Sequence, residues 1–216
     1  MRFEEAVRRL EPLPDVLPDG PPSLIPVFAD TGQARPRQAW GEADASTRPA
    51  AVLVLVFPDE DGVARLVLTE RVDRGGHHSG EVSFPGGRAE TDDVDVVATA
   101  LREAREEVAL DVDQAGVRVL GMLPVQWIPV SNYSVTPVVA VADRRPRLRA
   151  QPTEVATILE PPLAAFLPAG ELRIVERDVR GWSLRYAAYP IDGLNVWGMT
   201  AFVLGGLGAW LGRDDA

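Results

Sequence analysis

Eight consecutive apolar residues, AAVLVLVF at 50–57, constrain the fold of this chain more than any other stretch. The run is rich in β-branched side chains, the composition of a strand buried inside a sheet. It places the start of the folded domain near Arg48. Upstream, Phe3, Ala6, Val7 and Leu10 recur at helical spacing, predicting a short amphipathic helix over 2–10. Pro12, Pro14, Pro18, Pro21, Pro22, Pro26 and Pro36 then rule out regular helix or a central strand. Residues 11–48 read as an extended arm lying over the domain, with a subunit contact as one use for it. The division expected is 1–48 for helix and arm and 49–213 for the main folded domain.

Downstream of the apolar run, a turn at Asp59–Gly62 and the segment ARLVLTER (64–71) predict a hairpin. A glycine-rich loop, VDRGGHHSGE, covers 72–81, and a helix follows from about Asp95 to Ala109. Strands are expected at 116–126 and 133–142, a helix near 161–167, and a hairpin from 171–179 and 182–190. Antiparallel hairpins with few helices indicate an α+β fold around a mixed sheet rather than a doubly wound parallel one. From Gly193 to Gly212 no residue is charged. That length can span a bilayer, but Asn195, Thr200 and the repeated glycines favour a helix over 194–211 packed in a protein core.

Charge and composition narrow the function classes. The net charge of −10 disfavours binding to nucleic-acid phosphates or anionic lipid, so neither nucleic acid nor membrane is an expected partner. An acidic protein still binds a phosphorylated metabolite when divalent cations neutralise the site locally. The absence of cysteine excludes disulfides, thiolate metal sites and a cysteine nucleophile. The opening MRFEEAVRRLEPLPD holds no apolar signal-peptide core, which makes a cytoplasmic location the default expectation.

The chemistry concentrates in FPGGRAETDDVDVVATALREAREEVAL (84–110). Val97, Leu101, Ala104 and Val108 form one apolar stripe of the predicted helix, and Glu103, Glu106 and Glu107 share another face. Three like charges on one face repel, with only Arg102 and Arg105 nearby to compensate. Such a face is usually just solvated. It is also a natural ligand set for hard divalent cations, which take carboxylate oxygens and leave positions open for water and phosphate. The preceding Pro85-Gly86-Gly87 turn tilts the balance, because its backbone can approach a ligand closely and offer a carbonyl to a metal.

This segment resembles the Nudix box. Gly87 stands at the opening glycine, and Arg102, Glu103, Ala104, Glu106, Glu107 and Leu110 match the second half in register. Asp93 replaces the first glutamate, one extra residue precedes Arg102, and Ala109 replaces the final glycine. LVLTERVDRGGHHSGEVSFPGG (66–87) further resembles the motif of coenzyme A pyrophosphatase-like Nudix proteins through Leu68, Thr69, Arg71, Gly80 and Phe84 to Gly87. Val72 and Gly76 depart from it. SNYSVTPVV (131–139) and VWGMTA (196–201) also look like that subgroup.

The resemblance implies a Nudix-like α/β/α sandwich and metal-dependent hydrolysis of a nucleotide-linked diphosphate. Coenzyme A or a derivative, cleaved to 3′,5′-ADP and 4′-phosphopantetheine, is the first expectation. It further implies Glu103 and Glu107 as the main Mg²⁺ or Mn²⁺ ligands, and Glu106 as a third ligand or the water-activating base. Arg102 joins Glu103 and Glu106 in the catalytic set, where it pairs with Glu106 at i, i+4 and orients rather than reacts. Arg71, His78, Gly86 and Gly87 are implied in substrate binding. Glu154 is a candidate outer carboxylate. His77 and His78 read more simply as loop structure, and Trp127, Tyr133 and Trp197 as core, although each aromatic can stack on an adenine. Competing readings are hydrolysis of ADP-ribose, NADH or another capped nucleotide, a ligand sensor without turnover, and peripheral membrane attachment through 193–212. A homodimer is compatible with the sequence.

Overall fold

A computed structural model describes residues 1–34, 43–72, 81–129, 131–179 and 181–213. The chain opens with helix α1 (Phe3–Leu10), a 3-10 turn at Pro22–Leu24 and a two-residue strand β1 (Val27–Phe28). The apolar run forms β2 (Arg48–Pro58), the longest strand, followed by β3 (Ala64–Leu66), β4 (Leu68–Arg71), β5 (Val82–Ser83) and β6 (Gly86–Arg88). Helices α2 (Val96–Val108) and α3 (Val112–Ala115) precede β7 (Val117–Met122), β8 (Gln126–Ile128), β9 (Tyr133–Ala142) and β10 (Val155–Leu159). The chain ends with β11 (Arg173–Val179), β12 (Trp182–Ile191), β13 (Leu194–Val196) and α4 (Gly198–Leu211).

β2 is apolar throughout 50–57 because both of its faces are covered there. Ala51, Leu53, Leu55 and Phe57 pack with Ala100, Ala104 and Val108 of α2. Val52, Val54 and Val56 point the other way, into a core shared with Leu10 of α1, Leu24 of the arm, and Leu204 and Leu207 of α4. One sheet between two helical layers is the expected α/β/α sandwich. In that sheet β2 runs parallel to β9, while β3 and β6 flank β2 and β7 and β8 flank β9, all antiparallel. A small sheet, β10-β4-β5, curls away from it, and β1-β12-β11 with β13 forms a third.

Several expectations need correction. The strand foreseen over 64–71 breaks at Val67, where the chain leaves β2 and β4 turns to pair with β10 and β5. The strand foreseen over 116–126 splits into β7 and β8 around Leu123–Pro124, since proline has no amide for the ladder. The helix near 161–167 is only a 3-10 turn at Leu163–Phe166, hemmed in by Pro161, Pro162 and Pro168. The terminal helix begins at Gly198 rather than 194. Asp192 (φ 49°) and Gly193 (φ 84°) form a two-residue left-handed turn that folds β13 back on β12.

The arm is partly structured and seals α4. A Cβ on Gly205 would lie 2.6 Å from Leu24 Cδ1, and one on Gly208 only 1.7 Å from the Phe166 carbonyl oxygen. The glycines of α4 therefore serve close packing. Among the described residues no helix is long and apolar enough to cross a membrane.

Candidate active site

Helix α2 is capped by Asp95, whose side chain accepts from the Ala98 amide at 2.8 Å. With its apolar stripe on the sheet, the adjoining face brings Glu103 and Glu107 onto β6. The Gly86 amide donates to Glu107 Oε2 at 3.1 Å. A Cβ on Gly87 would fall 2.5 Å from Glu103 Oε1, so only glycine lets that carboxylate lie against the strand. Glu107 keeps 4% of its side-chain exposure and Glu103 14%. Two carboxylates are thus buried side by side.

Their neighbours do not balance that charge. Arg71 of β4 lies 3.7 Å from Glu107 and is itself partly solvated. Burial pushes the Glu107 carboxyl up to about 7, against the Gly86 hydrogen bond and the Arg71 charge, with Glu103 and Glu154 adding to the rise. Burial also raises Glu103, opposed by Arg102. Glu154 stands at the start of β10 on the rim. Its backbone is tied down by the Glu154 amide to the Gln151 carbonyl, and the Gln151 amide donates to the Glu107 carbonyl at 2.8 Å.

Arg102 organises the outer side of the face. Its Nε donates to Asp93 Oδ1 at 3.0 Å and Nη2 to Asp93 Oδ2 at 3.1 Å, while Nη1 reaches Glu103 at 3.1 Å and Glu106 at 3.0 Å. Nη2 also donates to the Arg88 carbonyl of β6. The Thr99 hydroxyl and the Glu90 amide complete the cradle around Asp93. The Arg102 guanidinium holds the Asp93 carboxyl well below the usual carboxylate range. Asp93, which departs from the box pattern, is therefore the anchor of Arg102. Arg102, Glu103, Glu106 and Glu107 all lie within the unbroken helix α2, so the extra residue before Arg102 leaves the helical register of the glutamates intact.

These residues border a cleft of about 730 Å³. Arg71, Gly86, Gly87, Glu103, Glu107 and Glu154 line it, as do Tyr133 and Trp197. Glu106 does not: it is largely exposed and turned to Arg102. Trp127 also lies outside, donating from its indole nitrogen to Asn132 at 3.1 Å. His77 and His78 fall in 73–80, outside the described residues. Sequence reasoning missed Ser83, Arg177 and Thr200, which share the cleft wall. Ser83 Oγ is buried with no hydrogen-bond partner among the described residues.

The donor set fits a hard divalent ion. Both buried carboxylates offer oxygens and lack a full counter-charge. Among the described residues, however, no three acidic or histidine side chains gather into a closed metal cage. One or two carboxylates with substrate and water completing the shell is the usual arrangement for Mg²⁺.

The family model of the NUDIX domain matches residues 47–179. The chain belongs to the Nudix hydrolase family. It is 39% identical over 166 residues to the uncharacterized Nudix hydrolase NudL of Escherichia coli O1:K1, covering 76% of this chain and 83% of that protein. It is 33% identical over 188 residues to Nudix hydrolase 15, mitochondrial, of Arabidopsis thaliana, covering 84% of this chain but only 61% of that protein's length. Among solved structures, the Nudix hydrolase RenU from M. smegmatis aligns with a TM-score of 0.47 at 21% identity, over 55% of this chain and 73% of that one. Nudix hydrolases work on nucleoside diphosphate derivatives and generally use divalent metal ions.

Proposed function

We propose that this Nudix hydrolase cleaves the diphosphate of coenzyme A or a derivative, releasing 3′,5′-ADP and 4′-phosphopantetheine. The buried Glu103–Glu107 pair in the cleft carries the hydrolytic reading, because a dense negative site with only Arg71 and Arg102 set against it suits a metal-bridged phosphate. The motif over 66–87 carries the choice of coenzyme A.

Glu103 and Glu107 would hold Mg²⁺ or Mn²⁺, with the Gly87 carbonyl as a neighbouring donor. The bound ion supplies charge neutralisation for the diphosphate and acidifies water. Arg71, beside Glu107, pairs with a phosphate oxygen and keeps it over the carboxylates. Asp93 and Glu106 hold Arg102, and Arg102 in turn fixes the carboxylate of Glu103. Water attacks one phosphorus, the bond from that phosphorus to the bridging oxygen breaks, and two phosphomonoesters leave. The proton of that water passes to a carboxylate at the cleft. Glu154 lines the cleft and Glu106 faces Arg102, so we assign the acceptor to Glu154 and a positioning role to Glu106.

The test is a product assay on purified protein with Mg²⁺ or Mn²⁺, offering coenzyme A, ADP-ribose and NADH separately. Release of 3′,5′-ADP from coenzyme A, lost in Glu107→Gln, is expected. Turnover of ADP-ribose or NADH alone would discard coenzyme A and keep the hydrolytic site. No metal-dependent turnover of any of the three would favour a sensor.

A further inference from the structure

Part of the cleft wall is built from the end of β11, Trp197 and the start of α4, and none of its side chains takes part in the hydrolysis described above. Trp197 is half-buried and lines the cleft. Tyr186 backs its indole at 4.9 Å and 20°, nearly parallel, which fixes the ring in place. The Arg177 guanidinium stands 5.4 Å from the indole centroid. Val175 pairs with Tyr186 across the β11–β12 ladder, so Arg177, two residues on, shares its face. Arg177 is half-exposed; it pairs loosely with Glu81 at 3.9 Å and hydrogen-bonds the Tyr186 side chain, while its guanidinium still borders the cleft.

The amide end of α4 opens at the same place. Ala201 is the first residue whose amide turns back, to the Trp197 carbonyl, so the amides of 198–200 have no helical acceptor. Trp197 supplies no side-chain cap. Thr200 lines the cleft at 5% exposure, and its hydroxyl makes no hydrogen bond among the described residues. The Thr200 hydroxyl open to the cleft, three amides at a helix N-terminus and a guanidinium form a receptor for a phosphate group. The fixed indole beside them suits a planar base.

We propose that this wall is a nucleotide subsite, where a nucleobase stacks on Trp197 and a phosphomonoester not joined to the scissile diphosphate sits between Arg177 and the N-terminus of α4. The assignment deepens the coenzyme A reading, since that substrate carries a phosphate on its ribose in addition to the diphosphate. It also supplies what selects such a nucleotide over ones without the extra phosphate. β13 packs against β5, and β5 leads within three residues to Gly86, whose amide holds Glu107. The subsite and the carboxylates thus share one short piece of backbone.

Binding of 3′,5′-ADP and of 5′-AMP to the Mg²⁺-loaded full chain, followed by calorimetry, tests the subsite without turnover. The wild type is expected to prefer 3′,5′-ADP by about tenfold or more, a preference that Arg177→Ala abolishes. Trp197→Ala should weaken both ligands by about tenfold, and Trp197→Phe, which keeps an aromatic face, should restore most of the loss. Equal affinity of the wild type for the two ligands would overturn the proposal, as would Trp197→Ala binding like the wild type with its thermal unfolding unchanged. Coenzyme A hydrolysis on the same preparations separates the two readings. Turnover that ignores Trp197 and Arg177 in KM overturns the subsite alone. Trp197-dependent binding without turnover of coenzyme A keeps the subsite and overturns the proposed reaction.

Discussion

Glu107 keeps its proton in the folded chain up to about pH 7, whereas the unfolded chain releases it near its ordinary value of 4.5. Between those values the folded state binds more protons, so the stability this group contributes is full below 4.5 and is lost as pH rises through about 7. Metal-free protein should therefore lose Tm across that window, and Glu107→Gln should flatten the decline. Adding Mg²⁺ above pH 7 should stabilise the fold by about 2.7 kcal/mol when the ion is at 100 times its Kd, read as a higher Tm, because the ion binds the ionised carboxylates of the folded chain. The same variant should lower kcat by at least about 100-fold, since even partners one step removed from a metal are worth 10–100-fold. Asp93 has the opposite sign. Its carboxyl is depressed, so its contribution is present above 3.8 and is lost as pH falls through its lower folded value. Asp93→Asn should reduce that acid-side dependence in a pH series of thermal melts and lower kcat about tenfold by letting Arg102 shift off Glu103. A pH–rate profile whose acidic limb moves in Glu154→Gln but not in Glu106→Gln would support Glu154 as the proton acceptor; the reverse result would transfer that role to Glu106.

Element by element, α2 shows how backbone conformation leaves a trace in sequence. Ala109 ends the helix in the left-handed region at φ 54°, ψ 36°, and the Leu110 amide bonds back to the Ala104 carbonyl at 3.2 Å. The box pattern has glycine there because a Cβ strains that conformation. Ala109→Gly should raise stability by about 0.5–1 kcal/mol, read as a higher denaturant midpoint at unchanged slope. At Gly208 the reverse holds. Alanine there would drive a methyl into the Phe166 carbonyl and should cost about 1–3 kcal/mol or more in the same measurement. What the sequence revealed follows the same logic. The glutamates of α2, the glycines of β6 and the two-faced strand β2 were legible because burial and close approach restrict residue type. β10, reading VATIL, and the β13 turn were not, since pairing with β4 and β12 decided them. Arg177 and Thr200 were invisible as site residues because their meaning comes from the cleft, not from neighbours in the chain.

At the scale of the whole molecule, the two helical layers are closed by different parts of the chain. α2 covers one face with help from Leu110, Ala115 of α3 and Leu148, all from the stretch between α2 and β10. The other face needs α4 together with Ala6, Leu10 and Leu24 from the first part of the chain, all buried in the core that holds Val54 and Leu204. The family match begins only at 47, yet a chain trimmed to that point would expose α4 and the apolar side of β2.

The ladder at the centre of the sheet joins Arg48 to Tyr133 and Val56 to Val141, so β2 waits for a partner made much later in synthesis. Contacts this distant along the chain slow folding. During that interval the eight apolar residues of β2 are a template for pairing with other chains. Arg48 and Pro49 precede the run, and Pro58 with the acidic Asp59, Glu60 and Asp61 closes it. These flanking residues interrupt edge pairing and repel like segments, so a strand covered on both faces in the finished enzyme carries its own guards for the time before it is covered.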